Sequence, residues 1–111
     1  MDEPILNLES ALDRLGGDKE FLMELLNELV IQIDSGFSDL ENAVAQSDLD
    51  RIKRTAHGFK GASANLNADR LAKLFSELEL LGENPDRTAG HSLLDKIREN
   101  VKELKELLLN L

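Results

Sequence analysis

The chain has no cysteine, which excludes disulfide staples and thiolate metal sites and fits a reducing compartment. No apolar run approaches the ~18 residues that a bilayer span requires, and the N-terminus lacks the basic start and apolar stretch of a secretion signal. The cytoplasm, or the cytoplasmic part of something larger, is the expected setting, without membrane contact. Val, Ile and Thr are sparse, and Pro4 and Pro85 are the two prolines. The first scarcity disfavours strands and the second leaves long helices uninterrupted. Positive charge is also short: the net charge of -9 argues against nucleic acid, whose binders draw affinity from cations meeting phosphates. It argues equally against docking on an anionic membrane.

What is present is leucine at helical spacing. The 111 residues are expected to form one domain over 1–111 with a core of useful size. A short helix runs from Asn7 to Leu15, capped by Asn7 and ended by Gly16-Gly17. Asp18 opens a long helix to about Gln46 with the seam Leu22, Leu26, Leu29, Ile33, Phe37, Leu40 and Val44. Met23, Val30 and Ile31 lie on its other faces, and the short helix is placed to cover part of that excess. Asp48 caps a helix to about Leu66. Asn67 either ends it in a left-handed conformation or caps the next helix. That next helix runs from about Ala68 to Leu81 on Leu71, Leu74, Leu78 and Leu81. After Gly82-Glu83-Asn84-Pro85, Asn84 is read as cap and Pro85 as first residue of a last helix. Its seam is Leu93, Leu94, Ile97, Val101, Leu104 and Leu108. The fold class is therefore all-α: an antiparallel up-down-up-down four-helix bundle with a short extra N-terminal helix.

One helix carries chemistry. Each residue advances about 100° around the axis, so His57 lies roughly 140° from the centre of the stripe Ile52, Ala56, Phe59, Ser63 and Leu66. The imidazole is displayed on a solvated face, with Lys60 and Gly61 one turn further on. An imidazole with pKa near ~6.5 is a nucleophile at neutral pH. Lys60 offsets the charge of an anion on its outer nitrogen, Nε2. Gly61 costs helix stability for no packing reason, which suggests clearance for an approaching partner. His57 lies ten residues before the turn at Asn67 and Glu79 twelve after it. At ~1.5 Å rise per residue the two stand at similar heights, so Glu79 is expected to accept from Nδ1 and fix the tautomer. From Arg51 to Ala68 there are four bases (Arg51, Lys53, Arg54, Lys60) and no acid, so the remainder of the chain carries -13. Lys53, Arg54 and Lys60 read as a positive stripe for an acidic partner. His91 has no Lys-Gly pair after it and reads as inert surface. No metal site is expected.

The run AHGFKGASANLN resembles the core motif of histidine-containing phosphotransfer (HPt) domains of bacterial two-component phosphorelays. That motif is His, any residue, an apolar residue, Lys, Gly, two small residues, then an apolar residue and usually glycine. Leu15-Gly16-Gly17-Asp18 followed by FLMELL, and the pair Leu78-Glu79, are similar to two further blocks of the family. Phe59 stands in place of the commoner leucine, a core change expected to have little functional consequence. Asn67 stands in place of glycine. The resemblance implies a phosphorelay carrier that takes a phosphoryl group on His57 from a receiver-domain aspartate, or from a kinase, and passes it to another receiver aspartate. It implies Lys60 as charge partner, Gly61 as clearance residue and Glu79 as the residue that orients the ring. With the charge stripe added, Lys53, Arg54, Gly61 and Ala64 are the expected partner-binding residues. Response-regulator receivers are the implied partners, with a hybrid histidine kinase as an alternative donor. No intrinsic cofactor or ATP site is implied; the divalent ion belongs to the receiver. A carrier that meets successive partners is expected to be a monomer. The alternative is a helical adaptor without covalent chemistry, in which His57→Gln leaves signalling intact.

Overall fold

A computed structural model describes residues 3–111. Its helices are α1 (Leu8–Arg14), α2 (Lys19–Ala45), α3 (Leu49–Asn65), α4 (Asp69–Leu80) and α5 (Arg87–Leu109), with no strand among the described residues. α2 packs on α3 and α5, α4 packs on the same two, and the backbones of the diagonal pairs stay apart. This is the antiparallel four-helix bundle that the leucine seams predict, with α1 laid against α2. The 27 residues of α2 set the long dimension of 42 Å, close to the ~1.5 Å per residue of a straight helix.

The helices begin where side chains satisfy orphan amide groups. The backbone N–H groups of Ser10, Phe21, Arg51 and Ala89 donate to the carbonyl or carboxylate oxygens of Asn7, Asp18, Asp48 and Asp86. The last of these corrects the expected start of the fifth helix. Asp86, not Asn84, is the cap, and Arg87, not Pro85, is the first helical residue. The Asn84 N–H instead closes the preceding turn on Leu80 O at 3.0 Å, so Asn84 belongs to the end of α4. Between α3 and α4 the left-handed alternative is realised: Asn67 has φ +59°, and Ala68 caps α4 without a side-chain hydrogen bond. Gly16 and Gly17, at φ +66° and +83°, turn the chain between α1 and α2, a region open to glycine at little steric cost.

The seams fill the interior. Leu22, Leu26, Ile33, Leu40, Leu71, Phe75, Leu78, Ile97 and Leu104 are fully enclosed, each such side chain contributing roughly 1.5–3 kcal/mol of transfer free energy. Phe37, Leu81 and Leu93 are only partly covered. Phe37 lies at the bundle edge, where the Arg98 guanidinium covers its ring at 4.8 Å. Val30 is buried, on the side of α2 that faces Leu108 of α5, whereas Ile31 keeps 62% of its surface exposed, so part of the apolar excess of α2 stays uncovered. Phe59 is half-buried between α2 and α4. Its ring centroid is 5.3 Å from that of Phe75, and Gly36 of α2 faces its tip. A methyl group at position 36 would stand 2.9 Å from Phe59 Cζ. The phenylalanine in the histidine motif is thus accommodated by a missing side chain on the neighbouring helix.

Candidate functional site: the exposed face of α3

α3 places Ile52, Ala56 and Ser63 in the interior, and its helical period then turns His57 outward. The His57 side chain is 67% exposed. The tight turn at Asn67 sends α4 back along α3 in a register that sets Glu79 beside His57 and Glu83 beside Lys53. His57 Nδ1 lies 3.0 Å from Glu79 Oε2, and Lys60 Nζ lies 2.8 Å from Glu79 Oε1. One carboxylate therefore bridges the two motif residues. Glu79 is only 19% exposed, and the hydrogen bond from Lys60 holds its pKa below the ordinary glutamate range. The bond to His57 acts in the same direction, against the opposing effect of desolvation. An ionised carboxylate can only accept. In the neutral form of the imidazole the hydrogen therefore sits on Nδ1 and donates to Glu79, which leaves the lone pair on Nε2. This assignment of the tautomer follows from the partner and not from observed hydrogens.

The surface around the ring is low. Gly58, Gly61 and Ala64 are exposed, and a Cβ added at Gly58 or Gly61 would meet nothing within 4 Å. Neither glycine is demanded by packing inside the molecule, although each weakens the helix by about 1 kcal/mol relative to alanine. Beyond Ala64, Arg14 of α1 donates to the carbonyl oxygens of Ala64 and Asn65 at 3.4 and 3.1 Å. These bonds occupy acceptors that the end of α3 would otherwise leave to water.

The positive stripe does not survive folding as an excess of charge. Arg51 pairs with Asp39 of α2, Lys53 with Glu83 after α4, Arg54 with Asp50 and Lys60 with Glu79, all between 2.8 and 3.2 Å. The acid-free window is a property of the linear chain; neighbouring elements supply carboxylates to Arg51, Lys53 and Lys60, and the first turn of α3 itself supplies Asp50 to Arg54. Lys60 in particular faces Glu79 instead of standing free. Sequence reading missed Asp50, whose i,i+4 spacing to Arg54 was the available signal. It also missed Glu83, which the same register that pairs 57 with 79 would have indicated. Arg14 and Gly58 had no distinctive signal. His91 is exposed on α5, which lies diagonally across the bundle from α3. Among the described residues, no group of three or more His, Asp or Glu stands together as a metal cage would. None of the helices they form is long and apolar enough to cross a membrane.

Comparison with known proteins finds similarity over most of the chain. The family model described as Hpt domain matches residues 19–108. The phosphorelay intermediate protein rdeA of Dictyostelium discoideum is 23% identical over 92 residues. That match covers 83% of this chain and 36% of the relative, so the chain spans little more than a third of the curated relative's length. The relative's source gives no reason to keep the expected restriction to bacteria. No solved structure matches.

Proposed function

The chain belongs to the Hpt domain family, and from that premise we propose that it is a phosphorelay carrier with His57 as its phosphoryl acceptor. The observation that carries the reading is the exposed His57 ring with its Nδ1 3.0 Å from the Glu79 carboxylate. In the forward step Nε2 attacks the phosphorus of a receiver's aspartyl phosphate. The Nε2–P bond forms, the P–O bond to the aspartyl carboxyl breaks, and the aspartate leaves as carboxylate. The ring becomes an imidazolium, whose positive charge Glu79 stabilises through Nδ1–H. Transfer to a second receiver is the reverse step. The protein contributes position and electrostatics, and little covalent chemistry beyond the nucleophile.

In this reading the carrier has no ATP site of its own, and the divalent ion that assists transfer resides in the receiver. Gly61 and Ala64 leave room for the receiver's approach, and Lys53 and Arg54 meet its acidic pocket. The protein acts as a cytoplasmic monomer that meets its partners in turn, with a hybrid histidine kinase as an alternative donor. Because each base of the stripe already has a carboxylate partner, long-range steering is weak and the transfer rate should depend only mildly on salt.

The test is incubation with phosphorylated receiver domains followed by intact mass measurement. One acid-labile phosphoryl adduct is expected, lost in His57→Gln and retained in His91→Gln. Label that survives His57→Gln overturns the assignment. A His57→Gln protein that still supports signalling favours the adaptor.

A further inference from the structure

A recess of about 460 Å³ opens beside the ring, walled by Asp50, Lys53, Arg54, His57 and Glu79. Lys60 is not one of its walls. The reason is helical geometry: side chains lean toward the N-terminus of their helix, over the preceding turn. The His57 ring therefore lies over the turn that carries Lys53 and Arg54, whereas Lys60 is one turn behind it with its ammonium on Glu79. On that lean, the space open to a group on the ring is this recess, and the cations that wall it are those at positions 53 and 54.

Those two cations are held differently. Lys53 Nζ reaches 3.2 Å from Glu83, in the connection that follows α4. Arg54 Nε lies 2.9 Å from Asp50 Oδ2 on its own helix, with side chains 71% and 77% exposed. Exposed i,i+4 pairs are among the weakest ionic contacts. A phosphoryl group offers more charge and three acceptor oxygens, and a guanidinium matches such a group with a planar fork of donors.

We propose that Arg54 binds the phosphoryl group once it is on His57, and that Asp50 holds the guanidinium while the site is empty. The exchange of partners, Asp50 for phosphoryl, makes the loaded and empty faces of α3 differ in charge arrangement without a change of backbone. The inference deepens the carrier reading and rests on His57 being the acceptor.

The test uses potassium phosphoramidate as a small-molecule donor, so that no receiver surface enters the measurement. Nε2 attacks phosphorus, the Nε2–P bond forms, the P–N bond of the phosphoramidate zwitterion breaks, and ammonia leaves. The ring keeps its Nδ1 hydrogen as an imidazolium. Phosphohistidine is followed by ³¹P NMR, and the His57 signal is identified by its absence in His57→Gln. Arg54→Gln should phosphorylate about threefold more slowly than the wild type, and the difference should shrink at high salt. Arg54→Lys should fall between them. Asp50→Asn should be faster by a similar factor, and the Asp50→Asn gain should vanish in the Arg54→Gln background. Lys102→Gln, on the helix diagonally across the bundle from α3, should match the wild type and so control for net charge. Circular dichroism checks that each variant is folded. Equal rates for wild type and Arg54→Gln, with the His57 signal present, overturn the role of Arg54 and leave the carrier reading standing. An Asp50→Asn gain that persists undiminished without Arg54 overturns the exchange. Absence of any His57 signal in the wild type overturns the carrier reading itself.

Discussion

Gly36 and Phe59 should be energetically coupled, and the coupling can be measured. In an exposed helix interior, Gly→Ala normally stabilises by about 1 kcal/mol. At position 36 the added methyl would meet Phe59 Cζ at 2.9 Å and Cε2 at 3.2 Å, whereas carbon atoms in favourable contact stand ~3.5–4.0 Å apart. The ring must retreat by about half an ångström, and the fully buried Phe75 ring, 5.3 Å away by centroid, restricts that movement. Overpacking of this kind costs about 1–3 kcal/mol. Gly36→Ala in the wild type should therefore range from neutral to about 2 kcal/mol destabilising, the helix gain being outweighed. Phe59→Leu alone should destabilise through loss of the aromatic pair, worth ~0.5–1.5 kcal/mol beyond burial. With leucine at 59 the shorter side chain leaves room, and Gly36→Ala should then stabilise by about 1 kcal/mol. The coupling in the double-mutant cycle is thus about 1–3 kcal/mol. Urea unfolding should be followed by far-ultraviolet circular dichroism, because the chain has neither Trp nor Tyr for fluorescence. If Gly36→Ala changes stability equally in both backgrounds, within ~0.5 kcal/mol, the steric reasoning is wrong.

Glu79→Gln removes the charge that pairs with Lys60 and orients His57. Phosphorylation of His57 should slow by about tenfold, and ¹⁵N shifts of the ring should show a mixed tautomer; a wild-type rate with an unchanged tautomer would dismiss the orienting role. The lowered pKa of Glu79 also sets a pH dependence. Its stabilising contribution is complete above the ordinary glutamate range and is lost as pH falls through its lower folded-state value. The difference in urea midpoint between wild type and Glu79→Gln should accordingly be present at neutral pH and vanish in acid. Ser63 Oγ is fully buried without a hydrogen-bond partner among the described residues. Ser63→Ala should raise stability by about 1 kcal/mol, as removal of an unsatisfied hydroxyl does; a loss of that size in chemical denaturation would show that the hydroxyl has a partner.

Local chemistry was readable wherever one residue and its near neighbours decide the outcome. Asn7, Asp18 and Asp48 mark helix starts because a short polar side chain and the next free amide groups suffice for a cap. Asn67 marks a hairpin because few residues accept the left-handed region. The start of α5 was misread because Asn84-Pro85 and Asp86 are both acceptable caps by local rules. The carbonyl of Leu80, reached by the Asn84 N–H, decided between them. The open face of His57 followed from the period of α3, and the contact with Glu79 followed from that period together with the hairpin register.

Helical composition, the apolar seams and the outward display of His57 were legible before folding, since each depends on spacing within one helix. Neutralisation of most of the basic window, the room that Gly36 makes for Phe59 and the carboxylate that Lys60 shares with His57 belong to the closed bundle. Apart from Arg54 and Asp50, which share a helix, those contacts join side chains of different elements. Separation along the chain does not encode that proximity until the bundle closes.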